Sequence, residues 1–350
     1  MIQDVVRVPS TGDGPGELAR QAAVVRELGS PFVAEILHAS DRQLARAPRL
    51  AELIATWPGD PAKAALAMRL NAALHALARR APSSPLGRFY AGEPLDADRV
   101  IGSTLASEDG FLAEWMQHPP QTNEVSRAGA VMAALLVLRR DVPLPVDLLE
   151  IGASAGLNLN MARYRHLLGG VQAGEPGSIV AVAPHWSGPA PPAGIVEIGA
   201  AKGVDLHPLD PADPAACERL LAYVFVDQPE RIARLSRALR IAQEHPPTVE
   251  RGDAVPWLAA QLSEAQVAGR CRVVLHSMVL QYFADGARRA FGDVMAAFGA
   301  RATAERPLAR IGFEWNEGRR EVRLSLTVWP GQGTRILANC HPYGAAIAWR

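Results

Sequence analysis

The chain has 350 residues, more than the roughly 150 of a typical single domain, so a core domain carrying an addition is expected. With 49% hydrophobic and 21% charged residues it can bury a large core, which excludes a disordered or fibrous chain. Thirty-six basic residues against thirty-six acidic ones cancel, removing the broad positive field on which non-specific nucleic-acid binders rely. Cys217, Cys271 and Cys340 are too widely spaced for a disulfide scaffold or a zinc site, so no metal is expected. Residues 1–17 lack a basic start followed by an apolar run, and the longest apolar run, 128–138, is too short to span a bilayer. A cytoplasmic protein without membrane contact is the expectation.

From residue 14 to about 140 apolar residues recur at three- and four-residue spacing, which predicts an all-helical N-terminal domain over 1–140. Leu18, Ala22, Val25 and Leu28 form one stripe, ended by Gly29-Ser30-Pro31; Leu50, Leu53, Ile54 and Trp57 form another, ended by Pro58-Gly59. Asp60 is expected to cap a longer helix with Leu66, Leu70, Leu74 and Leu77 on one face and Met68, Asn71 and His75 on the other. His75 is read as a surface or hydrogen-bonded core histidine. After Pro143 and Pro145 the pattern changes, and residues 146–152 read as a short buried strand opening a second domain, 141–350. Strands at 248–251 and 271–278 alternate with helices at 255–265 and 286–299, the signature of a parallel α/β sheet. Strands at 308–315, 322–329 and 334–340 follow, the last two joined across Pro330-Gly331-Gln332-Gly333 as an antiparallel hairpin. A Gly/Pro-rich stretch at about 169–203 reads as an inserted hairpin or loop excursion.

The chemistry is concentrated in Glu150-Ile151-Gly152-Ala153-Ser154-Ala155-Gly156-Leu157-Asn158, a strand, a glycine turn and the start of a helix. Glycines there permit a tight turn and close approach of a ligand, and a helix N-terminus favours an anionic or electron-rich one. Gly152-x-Ser154-x-Gly156 also matches the nucleophile elbow of α/β-hydrolases, with Ser154 as nucleophile and His341 in the required chain order. The helical 140 residues upstream hold neither the strands nor the oxyanion loop that such an elbow normally follows. A dinucleotide fingerprint is ruled out by Ser154 at the second glycine position.

Glu150-x-Gly152-x-x-x-Gly156 resembles motif I of class I S-adenosylmethionine-dependent methyltransferases, in which an acid at the strand end faces the cofactor's ammonium group. That resemblance implies a Rossmann-like, mostly parallel sheet closing with an antiparallel hairpin, with Glu150, Gly152, Ser154, Gly156 and Asn158 around the cofactor. It implies Asp205 as the second-strand acid on the ribose, or else a loop aspartate, and Asp253 as the third-strand acid near the adenine, or else a helix N-cap. His276 and Ser277 stand where amino-group methyltransferases carry Asn/Asp-Pro-Pro-Tyr, so His276 becomes the candidate base, with His341 second; a hydrogen bond at a strand end is the alternative for His276. In Gln121-Thr122-Asn123-Glu124-Val125-Ser126-Arg127, Thr122 or Asn123 caps the following helix, or else Asn123, Glu124 and Arg127 line the cofactor site. Together with Asp205-Leu206-His207-Pro208-Leu209-Asp210, these segments resemble the bacterial domain-of-unknown-function 2332 family over nearly the whole chain. The expected function is methyl transfer from S-adenosylmethionine to a small molecule, with the helical domain as a lid; nucleic acid is disfavoured as acceptor. The alternatives are a Ser154 esterase and a non-catalytic ligand-binding protein on the same fold.

Overall fold

In a computed structural model of the protein, residues 16–350 are described apart from 28, 63 and 332. The stretch 1–15 read for a signal peptide, Leu28 of the first stripe, Lys63, and Gln332 of the hairpin turn lie outside the described residues. In chain order the helices are α1 (Glu17–Glu27), α2 (Pro31–Gln43), α3 (Pro48–Ala55), α4 (Leu66–Arg80), α5 (Pro85–Tyr90), α6 (Ala97–Gln117) and α7 (Arg127–Asp141). Strands β1 (Val146–Ile151), β2 (Arg165–Leu168), β3 (Val171–Gly174), β4 (Ala181–Val182), β5 (His185–Ser187) and β6 (Ile198–Asp205) follow. Then come α8 (Pro214–Ala222), α9 (Pro229–Glu244), β7 (Thr248–Arg251), α10 (Ala254–Ser263), β8 (Cys271–Ser277) and α11 (Asp285–Gly299). The chain closes with β9 (Leu308–Trp315), β10 (Val322–Trp329), β11 (Gly333–Cys340) and β12 (Ala346–Trp349).

These elements form two compact units. One holds the described residues up to Thr122 together with Pro214–Ala233, and the other holds Asn123–Asp213 and Arg234–Arg350. The division falls after Thr122 rather than at 140, because α7 packs on β2, β9 and β10.

The helical unit is organised around α4, where Leu66, Leu70 and Leu74 pack with Ile36 and Leu37 of α2 and Ile101, Leu105 and Leu112 of α6. Helix α4 begins at Leu66, not just after Asp60, whose Oδ1 instead accepts from Ala62 N in the preceding turn. On the opposite face Asn71 and His75 are buried too: the His75 ring nitrogen Nδ1 lies 3.1 Å from Ala222 O and the ring stacks on Tyr90, the environment of a hydrogen-bonded core histidine. Burial pulls the His75 pKa down to about 4, so the ring stays neutral. Helix α3 has no cap of its own; Asp109 of α6 accepts from Arg49 N at 3.0 Å and Leu50 N at 2.8 Å instead.

The second unit is an α/β structure built on a nine-stranded, mostly parallel sheet in the order β5-β12-β11-β10-β9-β8-β1-β6-β7. Strands β7, β6, β1, β8 and β9 are parallel, whereas β9 to β12 form an antiparallel meander, so the expected hairpin is present as β10/β11 within a longer run. Helices α10 and α11 cover one face through Leu258, Leu262, Phe291 and Met295, and α7, buried around its whole circumference, packs on the other. The excursion after β1 is a β2/β3 hairpin with β4 beside it, and its last piece, β5, adds to the far edge of the main sheet against β12. Removing both oxygens that cap α3 is expected to cost about 1 kcal/mol. Urea unfolding of Asp109→Ala should show that loss as a lower midpoint at unchanged slope; an unchanged midpoint would refute the cap.

Candidate functional site

From β1 the chain builds β6 and β7 on one side and then returns to place β8 on the other, so the carboxyl ends of β1 and β8 flank a topological switch point. Backbone strain is concentrated there: Gly152 (φ +70°), Ser154 (φ +54°) and Gly156 (φ +69°) follow β1, and Met278 (φ +58°) follows β8. The glycines serve the packing of the chain on itself. A Cβ at Gly152 would sit 2.5 Å from Val279 Cγ2, and one at Gly156 2.7 Å from Pro247 Cβ, so protein side chains occupy the room that the sequence offered to a ligand.

The backbone donors of the turn are engaged in the same way. Gly152 N and Ala153 N donate to Val204 O, Gly156 N to Ala153 O, Ser154 N to Asp205 Oδ2 at 2.8 Å, and Leu157 N to Asn123 Oδ1 at 3.1 Å. A 3-10 helix, Leu157–Arg163, stands where an α-helix was expected. These five amides are therefore spent within the chain. Asp205 does sit at the end of the strand next to β1, in register with the residue after Ile151, and its Oδ1 accepts from His207 N.

Beneath the turn lies a buried polar cluster. Glu150 is 1% exposed; its Oε1 accepts from Asn158 Nδ2 at 3.0 Å, while Glu150 Oε2 and Asn158 Oδ1 are both buried without a hydrogen-bond partner. Burial pushes the Glu150 pKa up to about 8, opposed by the Asn158 bond and by Arg127 and reinforced by Asp205. Glu150 pairs with Leu275 in register, and side chains alternate along β8, so Ser277 shares the Glu150 face; its hydroxyl is also buried without a partner. Arg127 lies over Phe313, the register partner of Ser277, with its guanidinium carbon 5.9 Å from the ring centroid, and donates Nε–H to Pro342 O at 3.0 Å.

His276 stands elsewhere. It pairs with Ile151, so it projects from the opposite face, where its ring meets Phe291 of α11 edge-on. Its Nδ1 lies 2.9 Å from Glu314 Oε1, which also accepts from Val279 N at 3.0 Å and Leu280 N at 3.3 Å. The sheet thus separates His276 from Glu150, and the candidate base is tied to the loop after its own strand. His341 is exposed in the β11–β12 turn, with Nδ1 accepting from Tyr343 N; it is Pro342, the next residue, that meets Arg127. Asp253 is exposed and caps α10 by accepting from Val255 N at 2.9 Å. Neither Thr122 nor Asn123 caps α7: Asn123 holds the 3-10 helix after the glycine turn, and Glu124 accepts from Ser126 N.

Sequence reasoning missed Glu314, whose role depends on β9 lying beside β8. It also missed Gly344, where a Cβ would lie 2.7 Å from Arg127 N. Among the described residues no cluster of histidine, cysteine or acidic side chains is suited to a metal ion, and no helix is long and apolar enough to cross a membrane.

A family described as uncharacterized protein conserved in bacteria (DUF2332) matches residues 16–349. No curated protein and no solved structure matches the chain.

The folded state holds a proton on Glu150 up to about pH 8, whereas the unfolded chain releases it near 4.5. The folded form therefore binds more protons in that window, and this group's contribution to stability, full below pH 4.5, is lost as pH rises toward 8. Denaturant titrations should show Glu150→Gln gaining on the wild type between pH 5 and about pH 8. Parallel pH profiles would refute the neutral carboxyl.

Proposed function

Since the chain belongs to this bacterial family, whose description specifies no reaction, we propose from the geometry of the site that the protein is an S-adenosylmethionine-dependent methyltransferase with a class I-like core, acting on a small molecule. One observation carries the reading: Glu150 Oε2 and Asn158 Oδ1, two buried oxygens without donors, lie together at the carboxyl end of β1, with Arg127 close enough to act on the Glu150 charge. Two bare acceptors within electrostatic reach of a guanidinium complement an α-amino-acid group, ammonium toward the oxygens and carboxylate toward the arginine. S-adenosylmethionine carries such a group next to its electrophilic methyl sulfonium.

On this reading Glu150, Asn158 and Arg127 bind the amino-acid end, and Ser277 supplies a hydroxyl on the same face. Asp205, at the end of the neighbouring strand, keeps acceptor capacity for ribose hydroxyls while its oxygens hold the Ser154 and His207 amides. Gly152 and Gly156 shape the turn. Asp253 is left to cap α10. His276 becomes a positioning residue: through Glu314 it holds Val279 and Leu280, and Val279 packs against Gly152. Methyl transfer in this arrangement relies on alignment of the acceptor with the sulfonium more than on a histidine base.

Ser154 keeps a second reading open through its left-handed backbone, the strain that a nucleophile elbow carries. Against it, His276 Nε2 has no hydrogen-bond partner and so does not engage the serine, and His341 is exposed. Labelling of Ser154 by a fluorophosphonate would favour the esterase.

Calorimetric titration with S-adenosylmethionine and S-adenosylhomocysteine decides the main reading. Saturable binding is expected, weakened about tenfold or more in Glu150→Gln through loss of a charge-assisted hydrogen bond. Because an ammonium partner demands the ionised carboxylate, binding near pH 7 should release a proton and the apparent enthalpy should change with the buffer's ionisation heat. Equal affinity in Glu150→Gln, or no binding by folded wild-type protein, would reject the proposal; binding without turnover of any acceptor would favour a non-catalytic binding protein.

A further inference from the structure

A second feature of the α/β unit stands apart from the Glu150 cluster. On the sheet face that carries α11, an open cavity of about 570 Å³ lies over the antiparallel strands, lined by Arg310, Glu314, Asn316, Arg323, Ser325 and Thr334 among others. Arg310 pairs in register with Val274 and follows Leu308 by two residues, and both neighbours pack with Phe291 and Met295, so the arginine stem is anchored at the edge of the apolar core.

Of the two cations that line the cavity, one is paired. Arg323 donates to Glu321 Oε2 from Nε at 3.1 Å and Nη2 at 2.9 Å. Glu314 Oε1 already receives His276 Nδ1 and two backbone amides. Thr334 is joined to Thr327 through their hydroxyls at 2.8 Å. Glu317 at the rim is exposed. Arg310 is the cation left over: its Nε is buried without an acceptor, and no ion pair among the described residues involves it. Burial draws its pKa below the ordinary arginine range. A desolvated guanidinium without a counter-charge is unfavourable, and its planar fork is shaped for a carboxylate or phosphate group.

The strand beside the cavity is compatible with that use. Gly312, two residues along from Arg310, has no side chain, and a Cβ there would lie 2.9 Å from Ser325 Oγ and 3.1 Å from His276 Nε2. The missing methyl leaves room for the Ser325 hydroxyl, which donates to Gly312 O at 3.4 Å, on the side of the strand from which Arg310 projects. We propose that this cavity binds a small molecule through a carboxylate or phosphate group held by Arg310. The proposal rests on the cavity and its unpaired cation, independently of the cofactor reading.

Wild-type protein titrated with inorganic phosphate and, separately, with succinate, at ionic strength matched by sodium chloride, provides the test. One of the two should bind saturably, which also distinguishes phosphate from carboxylate chemistry. Binding should weaken about ten- to a hundredfold in Arg310→Gln, remain in Arg301→Gln, where the lost cation is exposed, and remain in Glu150→Gln, which probes the other site. Absence of saturable binding to either probe, or equal binding by Arg310→Gln, would overturn the proposal. Should Arg310→Gln fail to fold, phenylglyoxal modification of the wild-type protein decides by mass spectrometry: protection of Arg310 by the bound probe supports the site, and unprotected Arg310 refutes it.

Discussion

A carboxyl group buried at the end of the central strand is the constraint around which the α/β unit is arranged. Isolated as an anion, Glu150 would be strongly disfavoured there; with its pKa raised to about 8 it is held neutral. Its one hydrogen bond comes from Asn158, and Asn158 is in reach because the chain turns at Gly156 into a short 3-10 helix instead of an α-helix. That helix is pinned from two sides. Asn123 accepts from its first amide, and the Tyr164 hydroxyl, fully buried, donates to Leu157 O at 2.6 Å. The polar segment before α7 therefore serves the glycine turn and not its own helix, which explains why so many polar residues there are buried.

The two faces of β8 divide the chemistry. Ser277 belongs with Glu150, Asn158 and Arg127, whereas His276 belongs with Glu314 and α11. One residue of offset along a strand is enough to move a side chain from one layer to the other. The loop after β8 connects them: Glu314 holds its amides, and its Val279 fills the space at Gly152. A histidine on one face thus shapes the turn above the acid on the other.

Much of the architecture was legible in the sequence because it depends on local patterns. Runs of β-branched and apolar residues marked β7, β8, β9, β10 and β11, three- and four-residue spacing marked α10 and α11, and the glycine motif located the end of β1. Strands β5 and β12 were not legible: three and four residues long, they are held by each other and by β11, and nothing in so short a segment distinguishes a strand from a loop. Helix α8 was equally hidden, since its sequence does not reveal that it leaves the sheet's chain order to join the helical unit.

For the site, the sequence by itself determined that Glu150, His276 and Ser277 stand at strand ends, and left Asp205 open between a strand end and a loop. The tertiary structure decided which of them meet. Register between non-adjacent strands sets the faces, and it put His276 behind the sheet from Glu150 and gave it Glu314, a residue 38 positions away. Packing between distant turns decided that Val279 and Pro247 occupy the space beside the glycines. Burial decided the protonation of Glu150, because a pKa depends on the dielectric and the charges that the fold assembles around a group and not on its neighbours in the chain.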